Sequence, residues 1–138
     1  MNGDDYSQYF DDTNQQFTLT SGLFNFNTTV KTDGGRIKNT TRITTTYTIL
    51  TTDDRVFANT DAGAFTITLP VGVEGQEFRI INTGSSGNDV TITPNGAELL
   101  TGANASKTIS DGTVVILTYN SVDGWYWWME MIKWKIKR

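Results

Sequence analysis

Two pairs of carboxylates are the first residues that could do chemistry: Asp53-Asp54, and Glu74 with Glu77. Two carboxyl groups can serve as acid and base, or as acid and nucleophile, in glycoside hydrolysis if a cleft fixes their separation. Sequence adjacency does not supply a cleft, and both pairs sit in or beside turn signals, where acidic residues are ordinary. The chain has no histidine and no cysteine. The commonest neutral-pH base and zinc ligand are therefore missing, as are thiolate metal sites and disulfides. No Walker loop, dinucleotide fingerprint or nucleophile elbow occurs. Turns such as Asp53-Asp54 or 59–61 carry oxygen ligands suited to calcium, but EF-hand spacing is absent. The sequence predicts no catalytic residue, no metal and no cofactor, and a chain that holds or binds something rather than transforming it.

The second feature is the aromatic run Trp125-Tyr126-Trp127-Trp128. Aromatic faces can stack on sugar rings, and strand alternation lets one pair point outward, either Trp125 with Trp127 or Tyr126 with Trp128. Tyr126 and Trp128 are the candidate ligand-binding residues; burial in a core or a subunit interface is the commoner fate of such side chains. Beyond them Ile132, Trp134 and Ile136 alternate with Lys133, Lys135 and Lys137, giving a strand one apolar and one basic face. Its lysines would blunt a sheet edge. Alternatively Trp134, Ile132, Ile136, Lys133 and Lys135 form an interface with an acidic surface, such as the N-terminal arm of another copy.

Positioning these residues falls to strands. Threonine is unusually common, at 24 residues, and 13 glycines accompany it. That mixture suits pleated, half-wet surfaces and tight turns, and almost no helix is expected. Phe65 to Leu69, Val90 to Thr93 and Val114 to Tyr119 are the clearest strands, the first two alternating with threonine and stopped by Pro70 and Pro94. Ile43 to Ile49 reads as one strand with a wet threonine face. Arg55 to Ala58 and Glu77 to Asn82 are further strands, and Asn95-Gly96 is the best hairpin signal. Phe17-Thr18-Leu19 and Leu23 to Val30 are strand candidates nearer the start. Strand signals recur about every ten residues, which favours an antiparallel β-sandwich or barrel-like module. The Thr-Ile-Thr echo at 66–68 and 91–93 is too short to require an internal repeat.

The net charge is −4 and the pI about 4.6, a poor match to nucleic acid. The charge is asymmetric, with Asp4, Asp5, Asp11 and Asp12 near the start and Lys133 to Arg138 at the end. The first residues lack a signal peptide's basic and apolar regions, and no apolar run is long enough for a membrane-spanning helix. Residues 1–32 read as an arm and attachment or oligomerisation segment, and 33–138 as a β-rich module.

From about Asp33 to Trp125 the chain resembles a module of bacteriophage tail-fibre and other virion fibre proteins. The resemblance rests on Asp33-Gly34-Gly35-Arg36-Ile37, Asn39-Thr40-Thr41-Arg42 and Thr45 to Leu50. Asp61 to Pro70, Gly75 to Asn82, Val90 to Gly96, Ile109 to Gly112 and Asp123-Gly124-Trp125 continue it. It implies an all-β virion structural protein, a fibre, spike or head-decoration component intertwined as a homotrimer, with other virion proteins and a host-surface glycan as partners. Wrapping copies together would cover the exposed edges of threonine-rich strands. A free, monomeric carbohydrate-binding module is the alternative from another class, and a short polysaccharide depolymerase a third.

Overall fold

A computed structural model describes residues 34–129. The chain separates into two units, Met1–Arg36 and Ile37–Arg138, and every strand named below belongs to the second. Residues 1–33 and 130–138, with their expected strands at 17–19 and 23–30 and the interface candidates Ile132, Lys133, Trp134, Lys135 and Ile136, lie outside the described residues.

The described residues are all-β. Nine strands follow one another: β1 (Thr40–Ile43), β2 (Tyr47–Thr48), β3 (Arg55–Ala58), β4 (Phe65–Thr68), β5 (Glu77–Asn82), β6 (Val90–Thr93), β7 (Lys107–Ile109), β8 (Val114–Asn120) and β9 (Gly124–Met129). They form two sheets, ordered β1-β3-β5-β8-β9 (sheet A) and β2-β4-β6-β7 (sheet B). The expected antiparallel pairing is wrong for the first six strands. β1, β3 and β5 are parallel, as are β2, β4 and β6. Only β7, β8 and β9 run antiparallel to their neighbours. The first six strands alternate between sheets, so the chain makes three similar passes that stack as a short solenoid. The last three strands fold back against the third pass.

This winding makes the threonine echo a structural repeat after all. Thr66, Ile67 and Thr68 lie directly beside Thr91, Ile92 and Thr93. Backbone bonds extend the match beyond the strands, with Ile49 N–H donating to the Thr68 carbonyl at 2.9 Å and Leu69 N–H to Thr93 at 2.8 Å. The next equivalent position is Pro94, which has no N–H to offer. A three-residue motif recurring after one pass suffices, because one inward apolar residue flanked by two outward hydroxyls sets the face and register of each sheet B strand.

Inward alternation builds one core. Ile43, Val56, Ala58, Phe78, Ile80, Val115, Leu117 and Trp125 of sheet A are buried in one cluster with Ile67, Val90, Ile92 and Ile109 of sheet B and with Ile49, Leu69 and Leu100 beyond its strands. The expected strand over Ile43 to Ile49 is broken. β1 ends at Ile43 and β2 begins at Tyr47, in the other sheet, with Thr44 to Thr46 crossing between them. Ile43 and Ile49 are thereby both buried, in opposite layers. The Asn95-Gly96 turn exists, with Gly96 at φ 50 and Glu98 N–H on the Asn95 carbonyl at 2.9 Å. It does not close a two-residue hairpin, because β6 reaches its antiparallel partner β7 only at Lys107.

The inward and outward positions of one strand should respond differently. Ile67→Ala removes a fully buried side chain and is expected to cost about 2–5 kcal/mol. Thr66→Ala, one residue away and facing out, should cost less than about 1 kcal/mol. Urea unfolding of the two variants measures the contrast, and equal losses would contradict this layering.

Candidate functional site

The carboxylates singled out by sequence are drawn apart into separate structural tasks. Asp53 is buried and accepts hydrogen bonds from Thr41 Oγ1 (2.6 Å), the Tyr47 hydroxyl (2.9 Å) and Leu50 N–H (2.9 Å). It ties the first pass to its own turn. Burial, then the bond to Asp53, raises the Tyr47 hydroxyl above its usual pKa of 10.0. Asp54 turns the other way, to Lys38 Nζ at 2.9 Å, with Arg55 Nε at 3.7 Å. Glu74 accepts from Ser121 N–H (2.7 Å) and Asn120 Nδ2 (3.1 Å), clamping the β8–β9 turn, and these bonds lower its pKa. Glu77 is 3.8 Å from Arg79 Nε on the sheet surface. Neither pair converges on a cleft. Among the described residues no group of three or more acidic side chains is gathered as a metal site.

A polar cluster that sequence reasoning missed joins three loops at one end of the sheets. Asn82, fully buried, uses its whole amide. Oδ1 accepts from Thr60 Oγ1 (2.9 Å) and Gly84 N–H (3.0 Å), and Nδ2 donates to the carbonyls of Asn88 (3.1 Å) and Ile109 (3.3 Å). Asp111 accepts from Gly87 N–H at 2.6 Å, and its other oxygen lies 3.2 Å from Thr60 Oγ1. A Cβ at Gly84 would collide with Thr60 Oγ1, so glycine is needed for this approach. Nothing in an Ile-Ile-Asn ending distinguishes a loop-organising asparagine from an ordinary strand terminus. Beside this cluster Asp61 accepts from Ser85 N–H (2.7 Å), Asn59 Nδ2 (2.9 Å) and Ser86 Oγ (3.0 Å). These groups, led by the Ser85 amide, lower its pKa from 3.8 to about 2.

The aromatic run divides as alternation requires. Trp125 is fully buried. Its ring lies 5.5 Å from Phe78 and 5.1 Å from Tyr119, and its Nε1 donates to Glu98 Oε2 at 3.0 Å. The other oxygen of Glu98 takes Gly72 N–H at 2.9 Å. Trp127 is half-buried against the core, while Tyr126 (43% exposed) and Trp128 (64% exposed) face outward. The candidate ligand-binding pair thus shares the outer face of sheet A, on its edge strand β9.

That outer face mixes apolar side chains with arginines, and Glu77, Thr118 and Tyr126 share one of its rows. Register aligns Arg42, Phe57, Ile81 and Val114 in one row across the sheet, and Arg55, Arg79, Ile116 and Trp128 in the next. The opposite outer surface, on sheet B, carries hydroxyls instead: Thr48, Thr68 and Thr93 in one row, and Thr66, Thr91 and Thr108 in another.

A groove of about 480 Å³ opens where the edges of the two sheets meet, lined by Thr101, Ser106, Lys107, Thr108 and Trp127. β7 and β9 form its walls, and Thr101 is held beside β9 by its N–H to the Trp125 carbonyl at 2.7 Å. Its size falls within the range of small-ligand pockets.

No protein-family model matches this chain, and no curated protein matches it at a significant level.

The low pKa of Asp61 sets a pH dependence. A carboxylate stabilised in the fold contributes above its ordinary value of 3.8, and that contribution is lost as pH falls toward its folded value of about 2. Melting temperatures of the native chain should therefore fall between about pH 4 and pH 2. Asp61→Asn should lower stability at neutral pH and flatten this acid slope, as read by thermal melts across the range. An unchanged slope would mean that the loop bonds do not persist in solution.

Proposed function

We propose that this chain is a structural component of a bacteriophage virion, a fibre, spike or decoration module that assembles with its own copies as a homotrimer. It would be carried on the particle by other virion proteins and would display surfaces to a host glycan. The observation that carries the reading is the outer face of sheet A. Apolar groups left outward and rimmed by charge commonly mark an interaction surface, and Phe57, Ile81, Val114, Ile116 and Trp128 lie outward on β3, β5, β8 and β9 in rows that begin with Arg42, Arg55 and Arg79. Such a surface suits contact with further copies. The three-pass winding and the resemblance to virion fibre modules agree with it, and the dispersed carboxylates favour a non-enzymatic role.

Tyr126 and Trp128 favour a second reading. Two outward aromatics, two residues apart on an edge strand, could stack on successive sugar rings of a polymer, as a free carbohydrate-binding module would need.

The Trp128→Ala variant separates the readings. In the virion reading the full chain sediments as a trimer at micromolar concentration, Trp128→Ala shifts it toward monomer, and the protein occurs in purified virions by mass spectrometry. A stable monomer that loses glycan-array signal on the same substitution would overturn the assembly proposal and favour the binding module.

A further inference from the structure

The groove between the sheet edges has a composition that neither packing nor the outer-face contacts account for. Lys107 is the unexpected member. Register sets it opposite Ile92, whose side chain is buried in the core, so Lys107 belongs to the core-facing side of β7. It nevertheless remains exposed, because the edge of sheet B opens there. Among the described residues no carboxylate forms an ion pair with it. Trp127, half-buried against the core, lines the same groove. The hydroxyl-bearing residues Thr101, Ser106 and Thr108 complete the lining.

Thr101 adds a second observation. Its φ of 55 is the sole positive value at a non-glycine residue among those described, a conformation that β-branched side chains avoid. The Leu100–Ala103 bridge and the Thr101–Trp125 backbone bond enforce it. Glycine would occupy this position without strain, as at Gly102 next to it. A threonine, and not a glycine, nevertheless stands in the groove lining here.

We propose that this groove binds an acidic saccharide through one carboxylated hexose unit. An aromatic face, a ring of hydroxyls and one cation match a sugar ring, its hydroxyl groups and its carboxylate. The Trp127 indole stacks on the ring, Thr101, Ser106 and Thr108 exchange hydrogen bonds with its hydroxyls, and Lys107 pairs with its carboxylate. The threonine rows of sheet B run into the groove, since Thr91 pairs with Thr108 and Thr93 Oγ1 lies 2.8 Å from Ser106 Oγ. A longer polymer can therefore continue across a hydroxyl-lined surface. This site deepens the adsorption element of the proposed function but needs no assembly, and it is distinct from Tyr126 and Trp128, which face the other way.

The test is titration of the full-length chain with trigalacturonate and with a neutral galactose trisaccharide, followed by calorimetry and by amide and indole NMR. Saturable binding of the acidic sugar is expected, with shifts at the Trp127 indole and the Thr101 and Thr108 amides. Lys107→Gln, an exposed and fold-neutral change, should weaken binding about two- to fivefold at low salt, as for a single exposed charge pair. Raised salt should bring the native chain to the variant's affinity. Thr101→Gly should leave the fold intact and lower affinity. No binding, equal binding of the neutral sugar, shifts centred on Tyr126 and Trp128, or an indifferent Lys107→Gln would overturn the proposal. The last result would leave Lys107 as a guard against strand addition at the edge. Sedimentation of the same samples separates the two proposals: a monomer that binds defeats only the trimer, and a trimer that does not bind defeats only the groove.

Discussion

Parallel pairing of successive passes is the constraint on which the other features rest. β4 lies on β6 with Phe65 beside Val90 and Ile67 beside Ile92, and a slip of one residue would send every inward side chain to the surface. The alternation of threonine with isoleucine fixes that register from the side chains, and the bonds from Ile49 and Leu69 fix it from the backbone. Pro94 then denies the same bond to a further pass. The third pass is accordingly met by antiparallel strands, and the edges they leave at β7 and β9 create the groove.

Parallel passes need long connections, and their polar backbone must be satisfied where it dips below the surface. Two residues do much of this. Asn82 bonds in four directions and holds the loops around Thr60, Asn88 and Asp111. Glu98 reaches in from the segment between β6 and β7 to take both Gly72 N–H and the Trp125 indole. Trp125 in turn receives the ring packing of Phe78 and Tyr119. The long β6–β7 segment is thus pinned beside β9, which brings Thr101 into the same groove as Lys107.

Strand locations were legible because period-two alternation bounded by glycine, asparagine and proline is a local signal. Phe65 to Leu69, Val90 to Thr93 and Val114 to Tyr119 appear close to where their patterns put them. Pairing direction was not legible, since a half-buried strand has the same alternation in a parallel or an antiparallel ladder. The Thr-Ile-Thr echo held the missing information, but at three residues it is indistinguishable from ordinary strand composition until Thr66 is seen beside Thr91. The threonine run from Ile43 to Ile49 misled for a related reason. Its alternation is continuous, whereas the chain changes sheets within it. β7 escaped notice because Lys107-Thr108-Ile109 has one apolar residue and an inward lysine, the reverse of a strand signature. The groove escaped with it, as its lining comes from segments distant in sequence.

Alternation also explains how one short strand can contribute to two unrelated surfaces. Trp127 and Trp128 are chain neighbours on β9, yet one turns toward the space between the sheets and the other toward the outside of sheet A. A partner laid over the row from Arg55 through Ile116 to Trp128 would bury Trp128 and Tyr126 without approaching Lys107. Occupation of the groove would engage Trp127 without disturbing that row. Adjacent aromatics in a strand therefore give independence rather than a shared platform, and loss of one function on substitution of Trp128 carries no implication for the other. A contiguous four-residue aromatic motif is better read as two two-residue motifs on opposite faces, each answering to its own neighbours across the ladder.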